Sequence, residues 1–296
     1  MTERMDPRPT LGIIGGSGVY DFDGLGDRRW VTVPSPFGAP SDELLFGTLN
    51  GLPLVFLPRH GRGHSISPSE INFRANIDVL KRAGVTDVIS VSAVGSLRDG
   101  LAPGTFVIVD QFIDRTVARN PSFFGTGLVA HVSMARPVCA RLGDHLAAAA
   151  SEVGIAAHRG GTYLVIEGPQ FSSRAESELY RSWGCDVIGM TNMPEAKLAR
   201  EAELCYATVA MVTDYDCWHP DHDAVTVDQV IAVLVANAGN ARALLSHAAP
   251  RVIGDAQGSH CGCRHALEHA VITAPEARDP ERVRQLEVIA GRVLGR

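Results

Sequence analysis

The run DVISVSAVGS, residues 87–96, constrains the fold more than any other stretch of the chain. It is nearly continuous in apolar, β-branched and small residues, whereas a strand with one wet face alternates apolar and polar positions. It therefore reads as a strand covered on both faces, which requires helices above and below a sheet. The rest of the chain supplies that pattern. LGIIGGSG (11–18), PLVFLPRHG (53–61), TFVIVDQFI (105–113), TYLVIEGPQF (162–171), CDVIGMTN (185–192) and YATVAMVTDYD (206–216) read as further strands. Between them lie helical segments. Ser67 to Glu70 reads as a capping box opening a helix with Phe73, Ile77 and Leu80 on its apolar face, and Ser173 to Glu176 as a second box. Helices are also expected around Leu142 to Val153, over PEAKLAREAEL, and after Thr226 and Gln229 with Val227, Val230, Ile231 and Leu234 turned inward. Strand and helix alternate without a linker, so the expected architecture is a single α/β domain around a central, mixed and twisted sheet flanked by helices. Its predicted extent is 11–250, after a tail at 1–10 and before a C-terminal helical segment, 251–296, packed on the same domain.

At 296 residues the chain can bury a large core without staples, and a net charge of -6 with no cluster of Lys and Arg argues against a nucleic-acid partner. MTERMDPRPT lacks the basic-then-apolar order of a signal peptide, and no apolar run approaches the roughly 20 residues of a membrane-spanning helix. A cytoplasmic protein with a small-molecule ligand and no membrane contact is expected. In that compartment the six cysteines are expected to be buried thiols, with the CxC pair Cys261 and Cys263 as the candidate exception, redox-active or disulfide-forming.

In sheets of this kind ligands collect where strands end. Those ends carry Ser17, Arg59, His60, Ser92 and Thr191, a set of hydroxyls, glycine-turn amides and one guanidinium that suits a tetrahedral oxyanion such as phosphate. GGSG does not extend to GxGxxG, and no GxxxxGK[ST] occurs, so neither common nucleotide loop is present. Asp214 and Asp216 close the last strand; period-two alternation places both on one side, where a carboxyl can accept from N–H or, protonated, donate. A solvated strand end explains such a pair equally well when it is taken alone.

The segments GIIGGSGVYDF, LPRHGRGHSISPSEINFRANI, AVGSLRDGLAPGTFVIVDQFIDRT, IEGPQFSSRAES, GMTNMPEAKLA and TDYDCW, in this order, closely resemble the purine nucleoside phosphorylase family, in its methylthioadenosine-cleaving branch. The resemblance spans roughly residues 11–245. It implies a nucleoside phosphorylase fold and the phosphorolysis of S-methyl-5'-thioadenosine to adenine and S-methyl-5-thioribose 1-phosphate, in methionine and purine salvage. It also implies that Ser17, Arg59, His60, Ser92, Ala93 and Thr191 bind phosphate, that Phe171, Ser172 and Met190 meet the nucleoside, and that Asp214 and Asp216 read the adenine N7 and 6-amino group, with Asp214 catalytic. Val227 and Val230 would line the methylthio pocket, and His131 would reach the active site of a neighbouring subunit in a homotrimer. Inorganic phosphate would be a co-substrate, with no cofactor and no metal. Gln170 departs from the pattern, since the family usually has Arg there.

Three alternatives stand beside this reading. A phosphorylase for 6-oxopurines, including methylthioinosine, would be better served by Asn than by Asp214, because O6 cannot donate to a carboxylate. A hydrolytic nucleosidase would have no use for Arg59 and its hydroxyl partners. A non-enzyme reading makes the chain a purine-binding protein, or makes CGCRHALEH a metal-binding module through Cys261, Cys263, His265 and His269, whose spacing matches no standard zinc pattern.

Overall fold

The computed structural model describes residues 10–16, 24–220, 227–255 and 261–295. Their strands join one eleven-stranded mixed sheet. The chain opens with β1 (Thr10–Gly15), then an edge meander of β2 (Leu25–Val31), β3 (Leu44–Leu49) and β4 (Leu52–Pro58), and β4 returns to lie parallel beside β1. The helix α1 (Phe73–Arg82) leads into the central strand β5 (Val85–Ser96). There follow β6 (Phe106–Val109), β7 (Gln111–Arg115), α2 (Ala140–Glu152), β8 (Ala157–Arg159), β9 (Thr162–Ile166), α3 (Arg174–Ser182), β10 (Val187–Gly189), α4 (Glu195–Glu201) and β11 (Cys205–Asp214). The long α5 (Val227–Asp255) and two short helices, α6 (Pro280–Gln285) and α7 (Glu287–Leu294), complete the chain. No helix among the described residues is long and apolar enough to cross a membrane.

The expected two-sided cover is present, and the strands show how. In β4, Leu54 and Phe56 face a core shared with Leu142 and Leu146 of α2 and Leu244, Leu245 and Val252 of α5. Their neighbours Val55 and Leu57 face the opposite core, with Ile77 and Leu80 of α1, Leu198 of α4 and Ile289 of α7. Each such side chain, removed from water, contributes about 2 kcal/mol, so the sheet is held from both faces.

The sheet forks at β5. One edge of β5 pairs with β11, in parallel, over residues 87–95. The other edge pairs with β1 only as far as Ser90 and then with β10, antiparallel, at Gly95 and Ser96. Residues 91–94 therefore have no strand partner on that edge among the described residues, and a crevice opens there. The two arms of the fork are tied together where the chain crosses between them. The stretch read as one strand, TFVIVDQFI, is two: β6 belongs to the β11 arm and β7 to the β9 arm, with Asp110 at the bend. Opposite it β8 gives way to β9 through Gly160 and Gly161, both at positive φ, and the Gly161 carbonyl accepts from the amides of Asp110 and Gln111.

Local details differ from the sequence expectation in one further place. Ser67 to Glu70 forms a separate short 3₁₀ turn, Pro68–Glu70, and α1 begins at Phe73, capped by the Asn72 side chain accepting from the Ala75 amide at 3.1 Å. The second box is formed as expected, with Glu176 accepting from the Ser173 amide at 2.8 Å and Ser173 Oγ from the Glu176 amide. Thr226 and Ser17 lie outside the described residues.

Candidate active site

A cavity of about 760 Å³ occupies the crevice, lined along its floor by Val91, Ser92, Ala93, Val94 and Gly95 of β5. One end is built from hydroxyls and a guanidinium. Arg59 follows β4, and its amide donates to the Gly15 carbonyl, which brings the β1 and β4 ends together. Its side chain is almost wholly buried and paired with Glu195 at the start of α4, Nε to Oε2 at 2.9 Å and Nη2 to Oε1 at 3.3 Å. Nη2 also donates to Ser90 Oγ at 2.6 Å and Nη1 to the Val91 carbonyl at 3.0 Å, which leaves one Nη1 hydrogen uncommitted. Burial opposes the charge on Arg59, but Glu195 outweighs it and holds the guanidinium pKa above its ordinary value. Beside it, Ser92 Oγ lies 3.0 Å from both the Thr191 and Tyr163 hydroxyls. His60 places Nδ1 2.8 Å from the Ile66 carbonyl, so Nδ1 carries the hydrogen and Nε2 the lone pair. Burial, then the charge of Arg59, pushes its pKa down to about 4. The ring is neutral near pH 7 and stacks on His64, which also lines the cavity.

The other end is acidic. Asp214 closes β11, and Asp216 follows in a turn at φ 52°, so the two carboxylates converge through a left-handed residue and not through strand alternation. Asp214 Oδ1 accepts from the Asp216 amide at 2.8 Å and Oδ2 from Thr213 Oγ1 at 2.7 Å. A Cβ on Gly95 would lie 2.9 Å from Asp214 Oδ1 and 3.3 Å from Asp216 Cβ, so β5 needs glycine there for the pair to close over it. Burial raises the pKa of both acids, and for Asp216 the charge of Asp214 adds to it. Phe171, about half exposed, Ser172 and Met190 form the wall between the two ends. Ser172 Oγ is buried without a hydrogen-bond partner among the described residues, so it has bonding capacity to spare for a ligand.

Other expected residues fall elsewhere. Val227 and Val230 lie in the first turn of α5, with side chains outside the described set; from that helix Ile231, Val235, Ala238 and Arg242 line the cavity, so its apolar face is turned to the cavity as well as to the core. His131 is exposed in the loop before α2, its amide donating to the Ala270 carbonyl at 2.8 Å, and it does not line the cavity of its own chain. Gln170 is exposed and also absent from the cavity wall.

The residues that hold the site were not among those expected from the sequence. Glu195 receives Ser90 Oγ at 2.6 Å and the Tyr206 hydroxyl at 2.8 Å in addition to Arg59. Asn192 Nδ2 donates to Tyr206 at 2.6 Å and Thr208 at 2.7 Å, completing a buried polar network beneath the hydroxyl end. Arg119, from the loop after β7, donates to the carbonyls of Met190 at 2.7 Å, Met193 at 2.6 Å and Glu167 at 2.7 Å, clamping the loop that carries Met190 and Thr191.

A crevice at a forked strand with an anion-binding end and an acidic end can hold an oxyanion and an N–H-bearing ring together, and residues 10–250 match the phosphorylase superfamily. The chain belongs to that superfamily. Among its relatives, the S-methyl-5'-thioadenosine phosphorylase of Rhodospirillum rubrum is 62% identical over 293 residues, covering 97% of this chain and 98% of the relative. That of Bradyrhizobium diazoefficiens is 63% identical, covering 96% and 98%. The crystal structure of a methylthioadenosine phosphorylase from an Antarctic soil metagenomic library matches with a TM-score of 0.90 at 47% identity, covering 96% of this chain and 99% of that one. A mutant adenosine/methylthioadenosine phosphorylase of Schistosoma mansoni, in complex with methylthioadenosine, matches with a TM-score of 0.78 at 37% identity, covering 88% and 96%.

Proposed function

We propose that this chain cleaves S-methyl-5'-thioadenosine with inorganic phosphate, giving adenine and S-methyl-5-thio-α-D-ribose 1-phosphate. The observation that carries this reading is the two-ended cavity, with Arg59, Ser92 and Thr191 at one end and the carboxyls of Asp214 and Asp216 at the other. Phosphate at the hydroxyl end receives the free Nη1 hydrogen of Arg59, the hydroxyls of Ser92 and Thr191 and the backbone at Ala93, while neutral His60 offers Nε2 to a protonated phosphate oxygen. Ser17 is assigned to the same end on resemblance. The purine stacks on Phe171 with Ser172 at its edge, and Met190 lies against the ribose.

As the C1'–N9 bond breaks, its electron pair passes to the purine and positive charge builds on the ribose ring, where phosphate stabilises it and then forms the new C1'–O bond. Asp214, which burial inclines to keep its proton, donates to N7 and makes adenine a better leaving group; Asp216 accepts from the 6-amino group. The reaction needs no cofactor beyond phosphate as co-substrate. Val227, Val230 and the apolar side chains that follow them cover the methylthio group. A homotrimer in the cytoplasm, in which His131 reaches a neighbouring site, accounts for an exposed histidine placed outside its own chain's cavity.

The decisive experiment follows adenine release from methylthioadenosine with and without phosphate. Release that depends on phosphate, with the sugar phosphate as co-product, is expected. Equal release in phosphate-free buffer overturns phosphorolysis in favour of hydrolysis.

A further inference from the structure

Four cysteines that take no part in the site come together near the start of β11, at the opposite end of that strand from Asp214. Cys139 is the residue before α2, Cys205 opens β11, and Cys261 and Cys263 flank Gly262 in the segment beyond α5. Their four sulfurs all lie within 4.8 Å of one another, and those of Cys205 and Cys261 are 3.2 Å apart. None of the four is in a disulfide, and three are buried. We propose that these four side chains bind one zinc ion as a tetrahedral tetrathiolate, a structural site that fastens the C-terminal segment to the sheet.

The geometry suits that ion. Zinc–sulfur bonds of about 2.3 Å place the corners of the tetrahedron about 3.8 Å apart. The observed spacings straddle that edge, so small rotamer adjustments close the site. An all-sulfur ligand set selects a soft or borderline ion and rejects magnesium and calcium. The surroundings point the same way. Zinc with four thiolates carries a net charge of about -2. Around the cluster stand Arg141, beside Cys205 and Cys139; Arg200, close to Cys263; and Arg264, the next residue in the chain. Each of the three has a buried Nε without a hydrogen-bond partner among the described residues. Two of them, Arg141 and Arg264, are oriented by Asp87 at the start of β5. Neutral thiols give no reason to gather unspent guanidinium donors, whereas metal-bound thiolates accept N–H bonds and are tuned by them. His265 and His269, considered as ligands beside Cys261 and Cys263 in the sequence, are exposed, and the other two ligands come from Cys139 and Cys205.

Binding would convert up to four S–H groups to thiolates and release their protons to solvent. It would also anchor one end of the segment whose Val271 bridges to Ala130 and whose Ala270 carbonyl holds the His131 amide.

The test is elemental analysis of the purified full chain after exhaustive dialysis, paired with cobalt substitution. About one zinc per chain is expected, and the cobalt form should show the strong near-ultraviolet charge-transfer and visible bands of tetrahedral thiolate ligation. Cys205→Ser and Cys263→Ser should each lower the zinc content at least tenfold, and His265→Ala and His269→Ala should leave it unchanged. The cobalt spectrum of the unaltered protein decides the matter even if a cysteine variant fails to fold. Four titratable thiols in a zinc-free protein, a disulfide among the four by peptide mapping, iron in place of zinc, or zinc that persists in both serine variants overturns the proposal.

Discussion

Replacing Glu195 with Gln should cost more stability than any other change of equal volume near the cavity. The carboxylate and the Arg59 guanidinium are both buried, and they meet through two contacts of 2.9 and 3.3 Å. In the Gln variant the oxygen that serves Ser90 and Tyr206 is retained, so the amide nitrogen takes the place of Oε2 and faces the Arg59 Nε–H, donor against donor. A buried guanidinium then stands without its counter-charge, and breaking such a pair costs about 3–5 kcal/mol. In a chain of this size that lowers the melting temperature by roughly 6–20 °C. Arg59→Met strands the carboxylate instead and should cost a similar amount. The double variant Arg59→Met with Glu195→Gln removes both charges, so it should be less damaged than the sum of the singles by about 3 kcal/mol. Thermal and urea denaturation followed by circular dichroism measures all four corners of the cycle. A kinetic arm separates support from contact. Arg59→Met should raise the phosphate KM, while Glu195→Gln, assayed below its melting range, keeps the cation and should leave that KM unchanged or lower. Additive single effects, or an unshifted melting temperature for Glu195→Gln, refute the pairing argument.

Glu201 accepts from Ser122 Oγ and the Phe123 amide, both at 2.7 Å, yet burial pushes its pKa from 4.5 up to about 7. The folded state thus holds the proton more tightly than the unfolded chain; the stability this gives, about 3 kcal/mol, is complete below 4.5 and lost as pH rises through 7. Glu201→Gln should flatten that part of the melting-temperature profile and melt higher than the parent at pH 8; an unchanged slope between pH 5 and 7 removes Glu201 as its source. Asp214→Asn should lower the kcat/KM ratio of methylthioadenosine to methylthioinosine by roughly 10–100-fold, because an amide NH2 placed at N7 can also donate to the adjoining O6, which a carboxylate cannot; a constant ratio takes Asp214 out of base recognition. If His131 completes a neighbour's site, co-assembly of inactive His131→Ala and Asp214→Ala chains in equal amounts should restore about one quarter of the sites, since each working site needs an intact Asp214 and an intact donor; no recovery defeats the shared site.

The central strand was legible because its residue types admit one environment. A β-branched run without polar alternation must be covered twice, and Val88 and Ile89 do face opposite cores. What could not be read was which strand meets which edge. The fork at β5 depends on β1 stopping at Ser90 and β10 beginning at Gly95, a decision taken by Ile14 and Ile188, 174 residues apart in the chain. For the same reason TFVIVDQFI looked continuous, since nothing local marks Asp110 as the place where the chain changes arms. The edge strand β2, LGDRRWV, has four exposed positions in a row and carries no period at all, so it escaped notice.

The same division runs through the site. Ser92, Thr191, Asp214 and Arg59 stood out because each is a polar residue at the end of an apolar strand, an expensive placement unless something uses it. Glu195 did not stand out, because an acid after proline at a helix start is ordinary capping chemistry and is well placed by the helix dipole alone. Its partner Arg59 is 136 residues away in sequence. Arg119 sits in a loop with no periodic pattern to mark its side chain as buried. Cys139 and Cys205, each at the edge of a regular element, looked like small core residues. Residues that face a ligand violate a local expectation and can be found from their own neighbourhood; residues that hold them in place satisfy every local expectation, and only the pairing of distant segments turns them into machinery.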